Sequence, residues 1–277
     1  MINQRAFSLE PLTLPDVHAV ELINIAALTG YSSIGLVLHS PAPSLPVDPV
    51  VTDAQARASA LDALRRTGVR LLNIECFNLT PDLTPAACEA ALVCGHALGA
   101  GAASAIVWEN GDRADVLGKL RRLCDMAREL GIRVNLEFMA LSRSLSSLQV
   151  AAELARDCDR ENIGIMVDLL HLMRTGGTLA DLRALDGELL GGAQICDGPL
   201  QVDSEAMLAE AGGNRATPGT AAFPIAGFID LLPAHLTIGV EVPQVALIGR
   251  VSPLERARSL MEATRRVIDS TSRADVK

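Results

Sequence analysis

The sequence predicts an α/β fold of one domain, a (β/α)8 TIM barrel spanning residues 1–277. Its 277 residues come close to the ~250 that eight β/α units occupy. Short apolar runs rich in β-branched residues alternate with longer stretches of helical periodicity, the pattern of parallel strands joined by crossover helices. No Pro/Gly-rich linker or shift in composition divides the chain. No G-x-G-x-x-G follows the first apolar run, so a closed barrel fits better than an open doubly wound sheet.

In chain order, strands are predicted over 6–9, 34–39, 70–76, 104–108, 133–138, 164–168, 193–196 and 237–242. Each is a short apolar run flanked by turn or helix signals. Helical stretches between them include 53–67, 84–98, 113–130, 146–158 and 253–268. Gly68, Gly99 and Gly131 each close such a stretch just before a strand, where a helix C-terminus takes left-handed backbone. The longest connection, 197–222, is rich in Gly, Pro and small residues and holds a short helical patch at 204–211. Connections of that length inside a compact domain tend to act as lids or binding loops. The polar end, 269–277, has no apolar periodicity and reads as a flexible tail.

With 49% hydrophobic and 21% charged residues, the composition favours a packed globule. A net charge of −9 without a dense Lys/Arg block repels a phosphate backbone, and 3% aromatics leave few stacking platforms. Nucleic acid is therefore excluded as a partner. Cys76, Cys88, Cys94, Cys124, Cys158 and Cys196 form no C-x-x-C pair and read as buried, reduced thiols. The first residues lack a basic segment followed by an apolar run, and no stretch approaches the ~20 apolar residues of a membrane span. The expectation is a cytoplasmic protein with no membrane partner.

Four consecutive units end in an oxygen-bearing side chain: Glu137 in VNLEF, Asp168 in GIMVD, Gln194 in GGAQICD and Glu241 in IGVEV. Each follows an apolar run, where a lone carboxylate carries a desolvation cost unless positive charge compensates it. In a barrel these strand ends meet at one mouth whatever their separation along the chain. Three carboxylates and an amide carbonyl would suit one divalent cation. Oxygen ligation favours Mn²⁺ or Mg²⁺; strand alternation puts Cys196 on the face of Gln194, which keeps a softer ion such as Zn²⁺ or Co²⁺ open. Taken singly, Asp168 reads equally well as the cap of the following helix.

Glu in LEF, the D-x-x-H of Asp168 to His171, Gln194-x-x-Asp197 and Glu241 in VEVP resemble the xylose isomerase-like barrel superfamily. The sugar phosphate isomerase/epimerase branch, with hydroxypyruvate isomerase and the ketose 3-epimerases, is the nearer match. The resemblance implies that Glu137, Asp168, Gln194 and Glu241 hold the metal and that His171 and Arg215, in NRATPG, contact substrate. Many ketose epimerases carry His where Gln194 stands, so this chain looks more like the hydroxypyruvate isomerase type. With five His in the chain and only His39 and His171 at predicted strand ends, the superfamily's trinuclear-zinc endonucleases fit poorly. Relatives commonly pair, which implies a homodimer or homotetramer.

The implied reaction is proton transfer beside the carbonyl of a small polyhydroxy substrate through a metal-stabilised enediolate, with Glu137 and Glu241 removing and returning the proton. Glu75, His39 and Trp108 end earlier strands and could line the mouth; for Trp108, core packing is the simpler reading. Asp197, three residues after Gln194, is expected to cap the loop or support the ligands from behind. The rival readings are a metal-dependent lyase resembling the superfamily's dehydroshikimate dehydratases, and a non-catalytic sugar-binding barrel.

Overall fold

The computed structural model describes residues 5–41, 45–80, 82–108 and 111–274. Eight parallel strands close in sequence order into one barrel. They are β1 (Phe7–Leu9), β2 (Ser33–Val37), β3 (Arg70–Asn78), β4 (Ala102–Ile106), β5 (Arg133–Glu137), β6 (Ile163–Asp168), β7 (Leu190–Ile195) and β8 (Ile238–Val240). Each predicted strand has its counterpart, with shifted ends. β4 stops at Ile106, which leaves Trp108 in the following loop, and β8 stops at Val240, which makes Glu241 the first residue beyond it.

Around the barrel run α1 (Ala19–Thr29), α2 (Ala54–Thr67), α3 (Pro85–Ala97), α4 (Arg113–Arg128), α5 (Leu148–Cys158), α6 (Leu169–Arg174), α7 (Leu179–Ala184), α8 (Met207–Gly213), α9 (Ile225–Leu231) and α10 (Pro253–Ala274). Asp53, Thr84, Asp112 and Ser147 cap α2 to α5, their side-chain oxygens accepting first-turn amides. Gly68, Gly99 and Gly131 take the left-handed backbone expected of them, with φ of 74°, 88° and 69°.

Of the expected tail, 269–277, the part as far as Ala274 is helical, the end of α10. No Gly or Pro interrupts it after Pro253, so a helix nucleated upstream propagates at low cost. Residues 275–277 lie outside the described residues. All six cysteines are free and buried. Among the described residues no helix is long and apolar enough to cross a membrane.

Strand alternation sorts side chains into two layers. Residues such as Leu9, Ile74, Leu136 and Val167 are buried toward the helices; Gly95 lets α3 approach, since a Cβ there would stand 2.3 Å from Ile74 Cδ1. The inward layer is polar: Ser8, Asn73, Ser104 and Asn135 fill the lower barrel, and a ring of carboxylates lies at the carboxyl ends of the strands. Asn135 occupies space that Gly164 and Gly191 leave open, with Oδ1 2.4 Å and 1.8 Å from where their Cβ atoms would be.

Two glycine substitutions should move stability in opposite directions. Gly131 has open space around it, so Gly131→Ala meets only the left-handed strain and should lose about 1 kcal/mol. Gly118, inside α4 with its nearest neighbour 3.8 Å away, should gain about 0.5–1 kcal/mol as Gly118→Ala. Urea unfolding of both variants checks the pair, and equal shifts would contradict it.

Candidate active site

The residues singled out at the strand ends converge. Glu137 ends β5, Asp168 ends β6, Gln194 is the penultimate residue of β7, and Glu241 directly follows β8. Parallel pairing sets their heights: Asp168 lies opposite Gln194, and Gln194 opposite Gly239 of β8. All four are buried. Asp168 also caps α6, its Oδ1 accepting Leu170 N–H at 2.7 Å. That short helix carries His171 back over the strand ends. Its Nε2 lies 3.7 Å from Glu137 Oε1 and 4.0 Å from Asp168 Oδ2.

Arg215 enters from the long connection between β7 and β8. A bridge pairs Asn214 with Gln244, and Arg215 N–H donates to Pro243 O at 3.1 Å, so this stretch is zipped against the segment after β8. The guanidinium then reaches inward. Nη1 donates to Asp168 Oδ2 at 2.6 Å, Nη2 stands 2.8 Å from Glu241 Oε2, and Nε donates to Ala211 O at 3.0 Å. Arg215, read from the sequence as a substrate contact, here joins two of the carboxylates.

Glu75 faces the same interior, accepting from Asn73 Nδ2 at 2.6 Å. His39 lies half-buried, its Nδ1 3.2 Å from Cys76 O and its ring 5.0 Å from that of Phe77. The core-packing reading of Trp108 is corrected: β4 ends before it and its side chain is 41% exposed in the loop. Asp197 organises the long connection, with Oδ1 accepting from Gly198 and Phe223 N–H and Oδ2 from Gly219 and Ala221 N–H, all at 2.8–2.9 Å. Cys196 is buried beside the site: its thiol faces the Arg215 guanidinium, with Asp168 and Glu241 near, and it is not among the three residues whose ligand atoms cluster.

Glu10, the residue after β1, was not singled out from the sequence. It is 2% exposed and faces the same interior. Its signal was the one used for the others, an acid closing an apolar strand in FSLEP.

Burial and mutual repulsion dominate the electrostatics. Burial, reinforced by Glu241, Glu75 and Asp168, holds the Glu137 carboxyl well above its usual range. Burial with the charges of Glu10 and Glu241 does the same to Glu75. Glu10 is pushed up to about 7 by burial. Glu241 is pushed up to about 8 by burial, against the opposing pull of Arg215. For Asp168, burial is outweighed by Arg215 and His171, and its carboxyl is held low. Burial lowers His171 to about 4, leaving a neutral imidazole with a lone pair to offer.

This donor set fits a divalent cation. Glu137, Asp168 and His171 each offer a ligand atom, and the three lie within 4.8 Å of one another. The Gln194 amide is buried with neither Oε1 nor Nε2 hydrogen-bonded, an oxygen donor without a partner. If Glu10, Glu75, Glu137, Asp168 and Glu241 all ionised, the Arg215 guanidinium would not balance them, and a divalent cation would favour their ionised forms.

The 3-dehydroshikimate dehydratase of Pseudomonas aeruginosa is 30% identical over 123 residues, which is 42% of this chain and 19% of that protein. The protein of the same name from Pseudomonas putida is 26% identical over 119 residues, 43% of this chain and 18% of its own. Either match spans less than a fifth of the relative's length. Among solved structures, the IolI protein with a zinc atom superposes with a TM-score of 0.77 at 15% identity, covering 96% of this chain and 98% of its own. D-allulose 3-epimerase from Methylomonas sp. gives 0.71 at 18% identity, covering 96% and 97%. The E. coli 3-keto-D-glucoside 4-epimerase YcjR gives 0.73 at 15%, covering 95% and 100%. These structural likenesses show a common fold. The model of the xylose isomerase-like TIM barrel family matches residues 15–267, and the chain belongs to that family.

Proposed function

We propose that this barrel is an enzyme that moves a proton next to the carbonyl of a small polyhydroxy compound, assisted by one divalent cation, and so isomerises or epimerises it. The observation that carries the reading is the pair Glu137 and Glu241, two buried carboxyls raised above their usual range beside the ligand atoms of Asp168 and His171. A carboxylate tuned toward neutral pH is an effective acid or base there. Glu137, Asp168, Gln194, His171 and Glu241 are the residues that would hold the cation. When bound, it supplies Lewis-acid polarisation of the substrate carbonyl and stabilises the enediolate.

Glu137 and Glu241 exchange the proton, and Arg215 binds a substrate oxygen; His171, expected from the sequence to contact substrate, is read here as a ligand of the cation. Glu75, His39 and the exposed Trp108 lie along the mouth as selectivity contacts. The oxygen-rich donor set favours Mn²⁺ or Mg²⁺, while the imidazole of His171 within the group also suits Zn²⁺. A second reading, elimination from the same carbanion, is favoured by the identity shared with the two dehydratases.

Solvent exchange tests the reading before the substrate is known. Ketoses and keto-acids incubated with protein and Mn²⁺ in D2O should take up deuterium beside the carbonyl. Isomerisation keeps the substrate's atoms together, whereas elimination releases a second molecule. Glu137→Gln and Glu241→Gln should each slow exchange by about 10²–10⁴-fold while the fold survives. Unaltered rates in both variants would contradict the two-carboxylate scheme.

Stability of the metal-free protein should depend on pH through the same groups. The Glu10 and Glu241 carboxyls, at about 7 and about 8 against an ordinary 4.5, bind protons more tightly in the folded chain. The stability this lends is complete below pH 4.5 and is lost as pH rises through 7 and 8. His171, lowered to about 4 from 6.5, acts in the opposite sense, but only below 6.5. In EDTA the melting temperature should therefore fall from pH 6.5 to about 8, and added Mn²⁺ should oppose the fall. A profile rising over that interval would count against this charge balance.

A further inference from the structure

Glu10 is a buried acid with no task in the scheme above, and its surroundings single it out. Strand alternation sets it on the inward face with Ser8, and the register pairs Ser8 with Gly239 of β8 and Gly239 with Gln194 of β7. Gly239 thus separates the Glu10 and Gln194 side chains with a position that has none of its own. A Cβ there would stand 2.8 Å from both Gln194 Cγ and Glu10 Oε1. On the other flank, a Cβ on Gly35 of β2 would meet Glu10 Oε2 at 2.4 Å. Neither glycine has the positive φ that would call for glycine on backbone grounds. Both positions are side-chainless because Glu10 and its neighbour fill the space.

The hydrogen-bond inventory of the two side chains is complementary. Glu10 Oε1 is the oxygen on the Gly239 side, toward Gln194, while Oε2 is buried without a donor beside Gly35, and Gln194 Nε2 and Oε1 are buried without hydrogen-bond partners. A bound cation favours the ionised form of a nearby carboxyl, and an ionised carboxylate only accepts, so in the loaded site the one part of the amide that Glu10 can bind is the Nε2–H. The two ends of an amide are nearly identical in shape, and its neighbours decide which way it faces. We propose that Glu10 is a positioning residue that takes the Nε2–H of Gln194 across Gly239 and thereby presents Gln194 Oε1 as an oxygen donor to the cation held by Glu137, Asp168 and His171. The inference rests on the metal-dependent reading of the site. It assigns β1 and β8 a part in ligation that neither Ser8 nor Gly239 performs directly.

Calorimetric titration of Mn²⁺ into the metal-stripped full-length protein tests it. Glu10→Gln keeps the volume but turns a pure acceptor into a group whose NH2 competes for Gln194 Oε1, and affinity should fall about 10–100-fold, as when other groups behind metal ligands are lost. Glu10→Asp keeps the charge but withdraws it by one methylene, and it too should weaken binding. In a Gln194→Ala background, Glu10→Gln should change affinity less than about threefold, because the group it orients is gone. Wild-type affinity in Glu10→Gln, or in a folded Glu10→Asp should Glu10→Gln not fold, overturns the inference alone. An equal loss in both backgrounds also overturns it, since Glu10 would then act by charge or as a direct ligand. Failure of the unaltered protein to bind Mn²⁺, Mg²⁺ or Zn²⁺ overturns both this inference and the reading beneath it.

Discussion

A crowd of ionisable carboxyls held out of water is the constraint around which this barrel is arranged. Glu10, Glu75, Glu137, Asp168 and Glu241 are all buried at one end of the strands, and Arg215 is the cation placed among them. A fold that needed only stability would put apolar side chains there, because buried charge is costly even when paired. The helix-facing layer, apolar and closely packed, supplies the burial that sustains the arrangement. The inward layer spends part of it on a polar site.

Much of this was legible in the chain because strand ends announce themselves. An apolar run followed by Glu, Asp or Gln locates a side chain at the mouth, and closure of the barrel then removes sequence distance from the problem. Glu137, Asp168, Gln194 and Glu241 were found that way. Glu10 carries the same signal and was passed over because a strand of three residues, Phe7–Leu9, offers so little pattern. The pairing of Arg215 with Asp168 and Glu241 was beyond periodicity, since it depends on how a long irregular connection folds back. The helical run to Ala274 was missed for a different reason: weak helix formers continue a helix that stronger ones have begun.

That long connection is less loose than its composition suggests. Asp197 gathers four backbone amides at its start, and Arg174 of α6 clasps Glu210 of α8 with Nε and Nη2, each at 2.6 Å. Arg174 also lies 5.0 Å over the ring of Phe223. The base of the loop and the short helix within it are thereby fastened to the element that carries His171. Arg215 emerges from a framed segment, so its guanidinium arrives at a defined place.

The cap that Asp168 makes on α6 divides the work of its two oxygens. Oδ1 is committed to the Leu170 amide and Oδ2 faces Arg215 Nη1, so one oxygen alone can answer to anything further. A newcomer at that carboxylate must share with, or dislodge, the guanidinium. Asp168 Oδ2 therefore joins the end of β6 to the connection that overhangs the site, beside the clasp that Arg174 makes on Glu210.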